Sequence, residues 1–251
     1  MSRTPTGPLP DTTQDTVYQG RVHLVQPAQG FRAGFDSLAL AAALPVLTQG
    51  EALELGCGCG GALLPAAYRM PGATFTGIDQ DAGMAALARV GAVVNGFDGR
   101  VTIESGEASA WVRAHENRFD LVFANPPYFE PGTISQPGAG KAGAYLETLS
   151  LDGWIKAMAF AAKPRAPLVL IHRAAELARI LAVLDRQAGE ITVLPIASKT
   201  GEPARRVLVR ARKGLKRGPL TLLPPLVTHD ERGEARCAAA QAIVEGRAID
   251  W

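Results

Sequence analysis

A short apolar strand that runs into a glycine-rich loop and then a helix is the feature that most constrains the fold of this chain. The strand is Ala52-Leu53-Glu54-Leu55, the loop is Gly56-Cys57-Gly58-Cys59-Gly60-Gly61, and the helix is expected from about Ala62 to Arg69. Glycine permits positive φ and a close approach of backbone to a ligand. This order of elements begins a doubly wound α/β sheet, with its ligand at the carboxyl ends of the strands.

The glycine spacing fits two kinds of nucleoside-containing cofactor. Gly56, Gly58 and Gly61 satisfy the dinucleotide pattern G-x-G-x-x-G. Glu54, Gly56, Gly58 and Gly60 satisfy the methyltransferase pattern E-x-G-x-G-x-G. The loop alone therefore indicates only that a nucleoside-like cofactor binds here.

Acidic residues follow the next two expected strands. The second strand, Ala73 to Ile78, ends in Asp79, about where a ribose diol would be held. After the third strand, Val101 to Glu104, the Glu107 side chain could accept the exocyclic amine of an adenine, and the Ala108 N–H could donate to the adenine ring. Glu107 has an alternative role as the cap of the following helix.

The fourth expected strand, Phe119 to Ala124, ends in a rigid corner, Asn125-Pro126-Pro127-Tyr128. The two prolines remove backbone donors and fix φ, so the chain must leave the sheet there. The Asn125 side-chain oxygen and the Pro126 carbonyl could each accept one N–H of a planar amino group, while Tyr128 stacks on the attached π-system. An ordinary Asn-Pro turn is the alternative. Together with the preceding strand ends, the corner predicts one site along one edge of the sheet.

Composition narrows the class of protein. The 251 residues, 47% hydrophobic and 20% charged, suit one large α/β domain with additions or two small domains. The sequence contains no run of 18 apolar residues, so no membrane span is predicted. The spacing of the three cysteines, Cys57, Cys59 and Cys237, fits neither a disulfide nor a metal site. We therefore expect that the protein binds no metal and that it is located in the reducing cytoplasm.

The N-terminal part is expected to precede the catalytic domain, which we assign to residues 51–251. Residues 1–15 are expected to be disordered, and residues 16–50 to form a hairpin or edge strand and a helix from Leu38 to Leu47 that pack on that domain. The loop before this helix contains Arg32 and Asp36, and it could close over a small ligand. Asp36 or Ser37 could instead cap the helix.

The second half of the chain is expected to complete the sheet. Pro131 to Gly143 is rich in glycine and proline and predicts a mobile lid. Pro167 to Ile171 predicts a fifth strand, and His172 after it is assigned a structural role because it lies beyond the switch point. Ile191 to Ile196 and Arg206 to Val209 predict an antiparallel pair at the edge of the sheet.

Positive charge is concentrated between Lys199 and Arg217. This stretch of 19 residues has a net charge of +7, eight basic side chains less one acidic, although the whole chain carries only +2. Such a run predicts contact with a phosphate backbone, with a solvated edge strand as the alternative. The RNA-binding residues expected from it are Arg205, Arg206, Arg210, Arg212, Lys213, Lys216 and Arg217.

Four stretches carry a resemblance to a known family. They are Gly30 to Ser37, Leu53 to Gly58, Asn125 to Tyr128, and Pro203 to Val209. The chain resembles the class I S-adenosylmethionine-dependent methyltransferases with an Asn-Pro-Pro-Tyr motif and, more narrowly, the bacterial tRNA1(Val) adenine-N6 methyltransferase family. The similarity covers nearly everything from about Gly20 onward.

The resemblance implies a Rossmann-like seven-stranded sheet, mostly parallel with an antiparallel edge strand, and S-adenosylmethionine as the cofactor. The catalytic residues that it implies are Asn125, Pro126, Pro127 and Tyr128. The cofactor-binding residues that it implies are Arg32, Asp36, Glu54, Gly56, Cys57, Gly58, Gly60, Asp79, Gln80, Glu107, Ala108 and Asn125.

The implied activity is methyl transfer to the N6 of an adenine in RNA, with tRNA near the anticodon preferred because unstacked loop bases can enter a pocket. A protein glutamine N5-methyltransferase is the nearest alternative, because a side-chain amide also presents a planar NH₂ group. An rRNA adenine or guanine N-methyltransferase also remains open. A nicotinamide-dependent oxidoreductase would leave the Asn125 corner without a purpose, and an RNA-binding protein with an inactive site is a further alternative. No membrane partner is expected, and the oligomeric state is open.

Overall fold

The computed structural model of the protein describes residues 11–30, 32–128 and 149–251. Its strands are β1 (Thr12–Val17), β2 (Val22–Pro27), β3 (Gly50–Leu55), β4 (Ala73–Asp79), β5 (Val101–Ser105), β6 (Leu121–Ala124), β7 (Pro167–Arg173), β8 (Ala188–Ala197), β9 (Arg206–Lys213), β10 (Thr221–Leu222) and β11 (Leu226–Val227). Its α-helices are α1 (Phe35–Ala43), α2 (Leu63–Arg69), α3 (Ala82–Val94), α4 (Ala108–Trp111), α5 (Leu151–Ala161), α6 (Leu177–Leu184) and α7 (Ala238–Val244).

The large sheet has the order β10-β8-β9-β7-β6-β3-β4-β5, with β11 also paired to β8. Strands β5, β4, β3, β6 and β7 are parallel neighbours, while β9 runs antiparallel to both β7 and β8. The expected mostly parallel sheet is therefore confirmed, but in the described residues it has nine strands instead of seven, because the short β10 and β11 extend the seven strands from β5 to β8. The antiparallel strand was expected at the edge, but β9 lies between two neighbours. Its centre, Val207-Leu208-Val209, is buried and so needs cover on both faces.

Helices cover both faces of the large sheet. One core joins α1, α2, α3 and α7 to the face that includes Phe75 and Phe123. The second core joins α4, α5 and α6 to the opposite face, which includes Leu53 and Leu55. Because the central strands are buried on both faces, they read in the sequence as apolar runs rather than as an alternating pattern.

The N-terminal strands pair as an antiparallel hairpin in a sheet of their own, with Thr12 opposite Pro27 and Val17 opposite Val22. The expectation of disorder to residue 15 is wrong from Thr12 onward, and residues 1–10 lie outside the described part of the chain. The polar segment is ordered because Asp15 accepts hydrogen bonds from Thr13, Gln26 and Arg32. The division at residue 50 stays a prediction.

Helix α1 differs from its expected bounds at both ends. It begins at Phe35 instead of Leu38, and Gly34 occupies the cap position without a side-chain cap, so neither Asp36 nor Ser37 caps it. It ends at Ala43 instead of Leu47, since Leu44 precedes a proline and takes an extended conformation (φ −69°, ψ 133°). The Asp36 side chain is thereby available for contacts elsewhere.

No helix in the described ranges has both the length and the apolar character needed to cross a membrane. The lid predicted at residues 131–143 falls outside the described residues.

Candidate functional site

The carboxyl ends of β3, β4 and β6 lie side by side, because β3 pairs in parallel with the other two strands. A cleft opens at these ends, next to the start of α1. Its lining residues are Ala33, Ser37, Glu54, Gly56, Cys57, Gly58, Cys59, Gly61, Ala62 and Asn125. The structure therefore brings the glycine loop and the Asn125 corner together at one site.

The glycine loop is shaped by Asp79 from the neighbouring strand. One Asp79 carboxylate oxygen accepts from the Gly58 N–H at 2.7 Å, and the other accepts from the Asp81 N–H at 2.9 Å. Burial raises the pKa of Asp79, while these two backbone N–H groups act in the opposite direction. Asp79 thus joins β4 to the loop and still has carboxylate lone pairs for a ligand hydroxyl.

Two of the loop positions require glycine. Gly56 has φ +70°, and a Cβ there would lie 2.6 Å from the Trp154 ring. Gly60 has φ +87°, and a Cβ would lie 2.9 Å from Leu64 Cγ. Both requirements come from conformation and packing, so these glycines fix the path of the loop beside the cleft.

Glu54 is an acidic side chain buried at the base of the cleft. It is 2% exposed, and its Oε2 has no hydrogen-bond partner within the described residues. Burial raises the pKa of Glu54 well above its ordinary value, and the nearby Asp79 charge raises it further. The Leu63 backbone N–H acts in the opposite direction on the pKa of this carboxyl. A buried carboxyl that lines a cleft with one unsatisfied oxygen is suited to a ligand group that carries N–H donors.

The predicted adenine-binding residues follow β5. The Glu107 carboxylate accepts from the Ser109 and Ala110 N–H groups at 2.8 and 2.7 Å, so it caps α4 in this structure. Ala108 is buried at the start of α4, and Gln80 is exposed. The capping alternative for Glu107 is therefore what the geometry shows. The adenine contacts of Glu107 and Ala108 and the cofactor contact of Gln80, which follows β4, stay predictions.

Arg32 does not line the cleft. Its guanidinium donates to Asp15 at 2.6 Å, to Thr13 at 2.8 Å and to the Pro27 carbonyl at 3.0 Å, so it joins the hairpin to the loop before α1. Next to it, Ala33 packs on the glycine loop, where a Cβ on Gly61 would lie 2.6 Å from Ala33 Cβ. The geometry gives Arg32 an indirect place near the site, and its cofactor contact stays a prediction.

The Asn125 amide is located at the cleft. The Asn125 side chain makes no hydrogen bond to any described residue, and it lines the cleft at the end of β6. Behind it, His172 Nε2 lies 3.3 Å from the Pro127 carbonyl, which can only accept, so Nε2 carries the proton. The His172 ring meets the Tyr128 ring edge-on at 5.2 Å, and burial lowers the pKa of His172. The neutral imidazole therefore supports the corner.

Tyr128 is held by two residues that are remote in sequence. Its hydroxyl donates to Asp36 Oδ2, and Arg206 Nε donates to the same oxygen at 2.9 Å and to the Tyr128 hydroxyl at 3.1 Å. The Arg206 guanidinium carbon also lies 4.5 Å from the centre of the Tyr128 ring, over one of its faces. Asp36, Tyr128 and Arg206 thus form one cluster, which we call the tyrosine clamp. Burial and the Asp36 charge raise the pKa of Tyr128, so its hydroxyl remains protonated.

The basic run does not form one surface. Strand β9 alternates its side chains, so Arg206 and Arg210 lie on the face of α1 and α7, whereas Lys213 lies on the face of α5. Lys213 Nζ donates to Asn117 and to the Ala162 carbonyl, and the Arg210 guanidinium covers the Trp251 ring at 4.7 Å.

Other members of the run are paired with acids. Arg212 lies 3.6 Å from Glu190, and Arg217 lies 2.9 Å from Asp185. Arg205 and Lys216 are exposed and are in no ion pair with a described residue. The charge that the sequence predicted as one patch is therefore divided between the two faces of the sheet, and three of its arginines are paired with acids.

Sequence reasoning missed several contributors to the site. Ser37 and Ala33 line the cleft from α1 and the loop before it, and Cys59 and Gly61 line it from the glycine loop. Their chemistry gave no signal, because small residues in such positions only shape the backbone. The place of Arg206 in the tyrosine clamp was also missed. It depends on the pairing of β9 with β7, in which Arg206 lies opposite Arg173.

Comparison with known proteins agrees with this geometry. A family described as "Methyltransferase domain" matches residues 52–136, which include β3 to β6 and the Asn125 corner. A tRNA1(Val) (adenine(37)-N6)-methyltransferase of Dickeya chrysanthemi is 25% identical over 185 residues, 73% of this chain and 73% of the relative. The enzyme of the same name from Salmonella enteritidis is 29% identical over 119 residues, 47% of this chain and 49% of the relative.

Solved structures show the same architecture. A protein of Agrobacterium tumefaciens described as a predicted O-methyltransferase superposes with a TM-score of 0.71 at 26% identity, covering 86% of this chain and 98% of its own. A T. thermophilus 16S rRNA N2 methyltransferase, solved with AdoMet and guanosine, has a TM-score of 0.54 at 18% identity, covering 86% of this chain and 47% of its own, and shows the fold alone.

The residues at the cleft fit the cofactor of these proteins. Glu54 Oε2, which has no partner among the described residues, suits the ammonium group of the methionine part, and Asp79 suits the ribose hydroxyls. The chain therefore carries a methyltransferase domain with the class I fold, and it is an S-adenosylmethionine-dependent methyltransferase.

Proposed function

We propose that this enzyme methylates the N6 amino group of an adenine in RNA, and that the RNA is a tRNA modified near the anticodon. The observation that carries the proposal is the Asn125 amide, which has no partner among the described residues and lines the cofactor cleft. A planar amino group can donate one N–H to the Asn125 side-chain oxygen and the other to the Pro126 carbonyl.

The residues of the corner supply orientation and polarisation. When bound, S-adenosylmethionine provides an electrophilic methyl group on a sulfonium. Accepting both N–H groups of the amine aims the nitrogen lone pair away from Asn125 and favours a tetrahedral nitrogen, so the two hydrogen bonds strengthen toward the transition state. The base stacks on the Tyr128 ring, which fixes its orientation, so the base has less rotational freedom to lose on reaction.

The chemistry of the corner favours a nitrogen acceptor over an oxygen acceptor. Oxygen and nitrogen both carry lone pairs, but a hydroxyl must lose its proton to a base for efficient attack. A neutral amino nitrogen can attack first and release its proton to water after methylation, when that proton is acidic. Among the described residues next to Asn125, the His172 imidazole is buried and its Nε2–H is directed at the Pro127 carbonyl, while the Tyr128 hydroxyl donates to Asp36. Neither group is placed to act as that base.

The names of the relatives support an RNA acceptor. Two of the curated relatives are named for adenine-N6 methylation of tRNA1(Val). The basic run is divided between two sheet faces, which weakens the argument that its charge favours RNA over a protein. The test must therefore distinguish an RNA adenine from a protein glutamine amide as the acceptor. The Arg205 and Lys216 side chains remain available for phosphates.

Mass spectrometry of nucleosides tests the proposal. Total tRNA and rRNA from cells with and without the gene are digested, and N6-methyladenosine and N2-methylguanosine are quantified. Loss of N6-methyladenosine from one tRNA is the expected result. An unchanged nucleoside profile, together with loss of methylglutamine from a cellular protein, would contradict it and assign the amide acceptor.

A further inference from the structure

The tyrosine clamp joins three parts of the chain at the acceptor side of the site. Asp36 comes from the first turn of α1, Tyr128 follows β6, and Arg206 begins β9. All three side chains are half-buried, so the contacts between them are partly shielded from water. Neither Asp36 nor Arg206 is part of the Asn125 corner.

The contacts fix the Tyr128 ring in position and in rotation. The hydroxyl is held by Asp36, one face lies under the Arg206 guanidinium at 4.5 Å, and one edge meets His172 at 5.2 Å. An acceptor that stacks on this ring therefore has the opposite face. Without these contacts, Tyr128 would be a single side chain at the end of a turn and free to rotate about its side-chain torsions.

The charges of the cluster are also matched to the cofactor. An unpaired guanidinium close to the methyl-donor site would repel a sulfonium, but Arg206 is paired with the Asp36 carboxylate at 2.9 Å. The planar guanidinium can lie over the ring and still donate through Nε, which a lysine cannot do.

We propose that Arg206 and Asp36 are positioning residues, which hold the Tyr128 ring so that one face is covered and the other receives the acceptor group. The inference rests on the proposed function for the identity of the acceptor, and it assigns to Arg206 a role other than phosphate binding. It predicts that both residues act on turnover through Tyr128 and leave cofactor binding nearly unchanged.

The chain contains a matched control at the opposite end of β6. Arg118 Nε lies 2.9 Å from Glu51, and its guanidinium lies over the Phe119 ring at 5.2 Å. Arg118→Ala therefore removes an arginine–carboxylate pair and a ring contact like those of Arg206, but far from the cleft. We expect its turnover to stay within about twofold of the unchanged enzyme, since exposed pairs of this kind contribute little to stability.

The experiment compares Arg206→Ala, Arg206→Lys, Asp36→Asn and Arg118→Ala in the full-length protein. For each, kcat and KM are measured with unmodified tRNA, and S-adenosylhomocysteine binding is measured by calorimetry. Arg206→Ala and Asp36→Asn should lower kcat about 10-fold or more, because each removes a hydrogen bond to a charged group. Arg206→Lys should recover only part of the loss, and the Kd for S-adenosylhomocysteine should change less than about threefold throughout.

A second readout does not depend on the acceptor. The chain has four tyrosines, so carbon-13 labelling of the tyrosine ring gives a small spectrum in which Tyr128→Phe assigns the Tyr128 signal. Arg206→Ala should shift that signal, and Arg118→Ala should not. An unshifted signal, or a shifted signal with unchanged kcat, overturns the proposal.

Failure of the proposed function would be seen in assays of the unchanged enzyme, separately from any effect of the variants. If it methylates a glutamine amide and no RNA, the same four variants are assayed on that acceptor, and the same losses are expected because the amide also stacks on Tyr128. Equal turnover of Arg206→Ala and Arg118→Ala on the acceptor that the unchanged enzyme uses would then overturn the positioning role alone.

Discussion

Arg206 Nε lies 2.9 Å from Asp36 Oδ2, although 170 positions separate the two residues in the chain. The contact joins the start of β9 to the first turn of α1, and it takes one arginine out of the run that the sequence predicted to bind phosphates. It also gives Asp36 a partner in place of the helix cap that was one of its expected roles.

The dependence of RNA affinity on salt should therefore separate Arg205 from Arg206. Arg205 is exposed, so Arg205→Ala should flatten the log–log salt slope by about 0.7, the contribution of one phosphate contact to single-stranded binding. Arg206→Ala should leave the slope unchanged, because the clamp already pairs its charge. Filter-binding assays between low and physiological salt measure both slopes. Equal flattening by the two variants would show that Arg206 reaches the RNA backbone.

Asp79 should contribute to cofactor affinity. Its carboxylate orders the glycine loop through the Gly58 N–H and retains capacity for ribose hydroxyls. Asp79→Ala should weaken S-adenosylhomocysteine binding by at least ~1 kcal/mol, about the contribution of a hydrogen bond to a charged group. Calorimetry provides the value, with NAD as the comparison ligand. Binding of NAD more tightly than S-adenosylhomocysteine would contradict the assignment of the cofactor.

Glu54 should show opposite effects on stability and on binding. Because burial raises its pKa in the folded protein above the ordinary value of 4.5, folding takes up a proton, and the stability of the cofactor-free protein falls as pH rises above that value. Glu54→Gln removes this penalty. Thermal unfolding between pH 5 and pH 8, at about one-unit intervals, should therefore be less pH-dependent in the variant.

The same variant should bind S-adenosylhomocysteine more weakly, since the neutral amide can accept a hydrogen bond from an ammonium group but cannot form an ion pair with it. Calorimetry at one pH checks this second effect. If Glu54→Gln both weakened binding and made unfolding more sensitive to alkaline pH, the carboxyl would have a buried partner in the free protein, contrary to its unsatisfied Oε2.

Tyr128→Phe should be more harmful than stacking alone would suggest. A ring that only stacked on the acceptor would tolerate this change, since Phe retains the ring. In the structure the hydroxyl also connects the ring to Asp36 and Arg206, so its removal leaves only the ring contacts of the clamp. Steady-state assays should show that kcat falls about 5- to 20-fold. The kcat of Tyr128→Phe should therefore lie between the values of the unchanged enzyme and of Tyr128→Ala. Turnover of Tyr128→Phe at the full rate would return the ring to a stacking role only.

Features determined by local sequence were predictable. The apolar runs of β3 and β6 predicted buried strands, and the glycines and prolines after them predicted where the backbone leaves the sheet. Because parallel strands end at one edge, this was enough to bring Glu54, Asp79 and Asn125 together.

Features that depend on pairing between distant segments were not predictable. The contacts of Arg206 follow from the insertion of β9 between β7 and β8, and strand alternation then divided the basic run between two faces. Likewise, the polar residues from Thr12 to Asp15 resemble a disordered terminus, and they are ordered by their pairing with β2 and by the side-chain contacts of Asp15.

The turnover of Asn125 variants tests the central claim most directly. The account assigns the chemical step to the Asn125 amide, which has no partner among the described residues and accepts from the amino group of the acceptor. Such preorganised groups typically contribute on the order of 10²–10³ in kcat. Single-turnover assays of Asn125→Ala should show that loss, with S-adenosylmethionine affinity within a few-fold of the unchanged enzyme. Asn125→Asp keeps an acceptor of the same shape and should retain part of the activity that Asn125→Ala loses. Turnover of Asn125→Ala at nearly the unchanged rate would show that the corner is only a turn, and would contradict the proposed function.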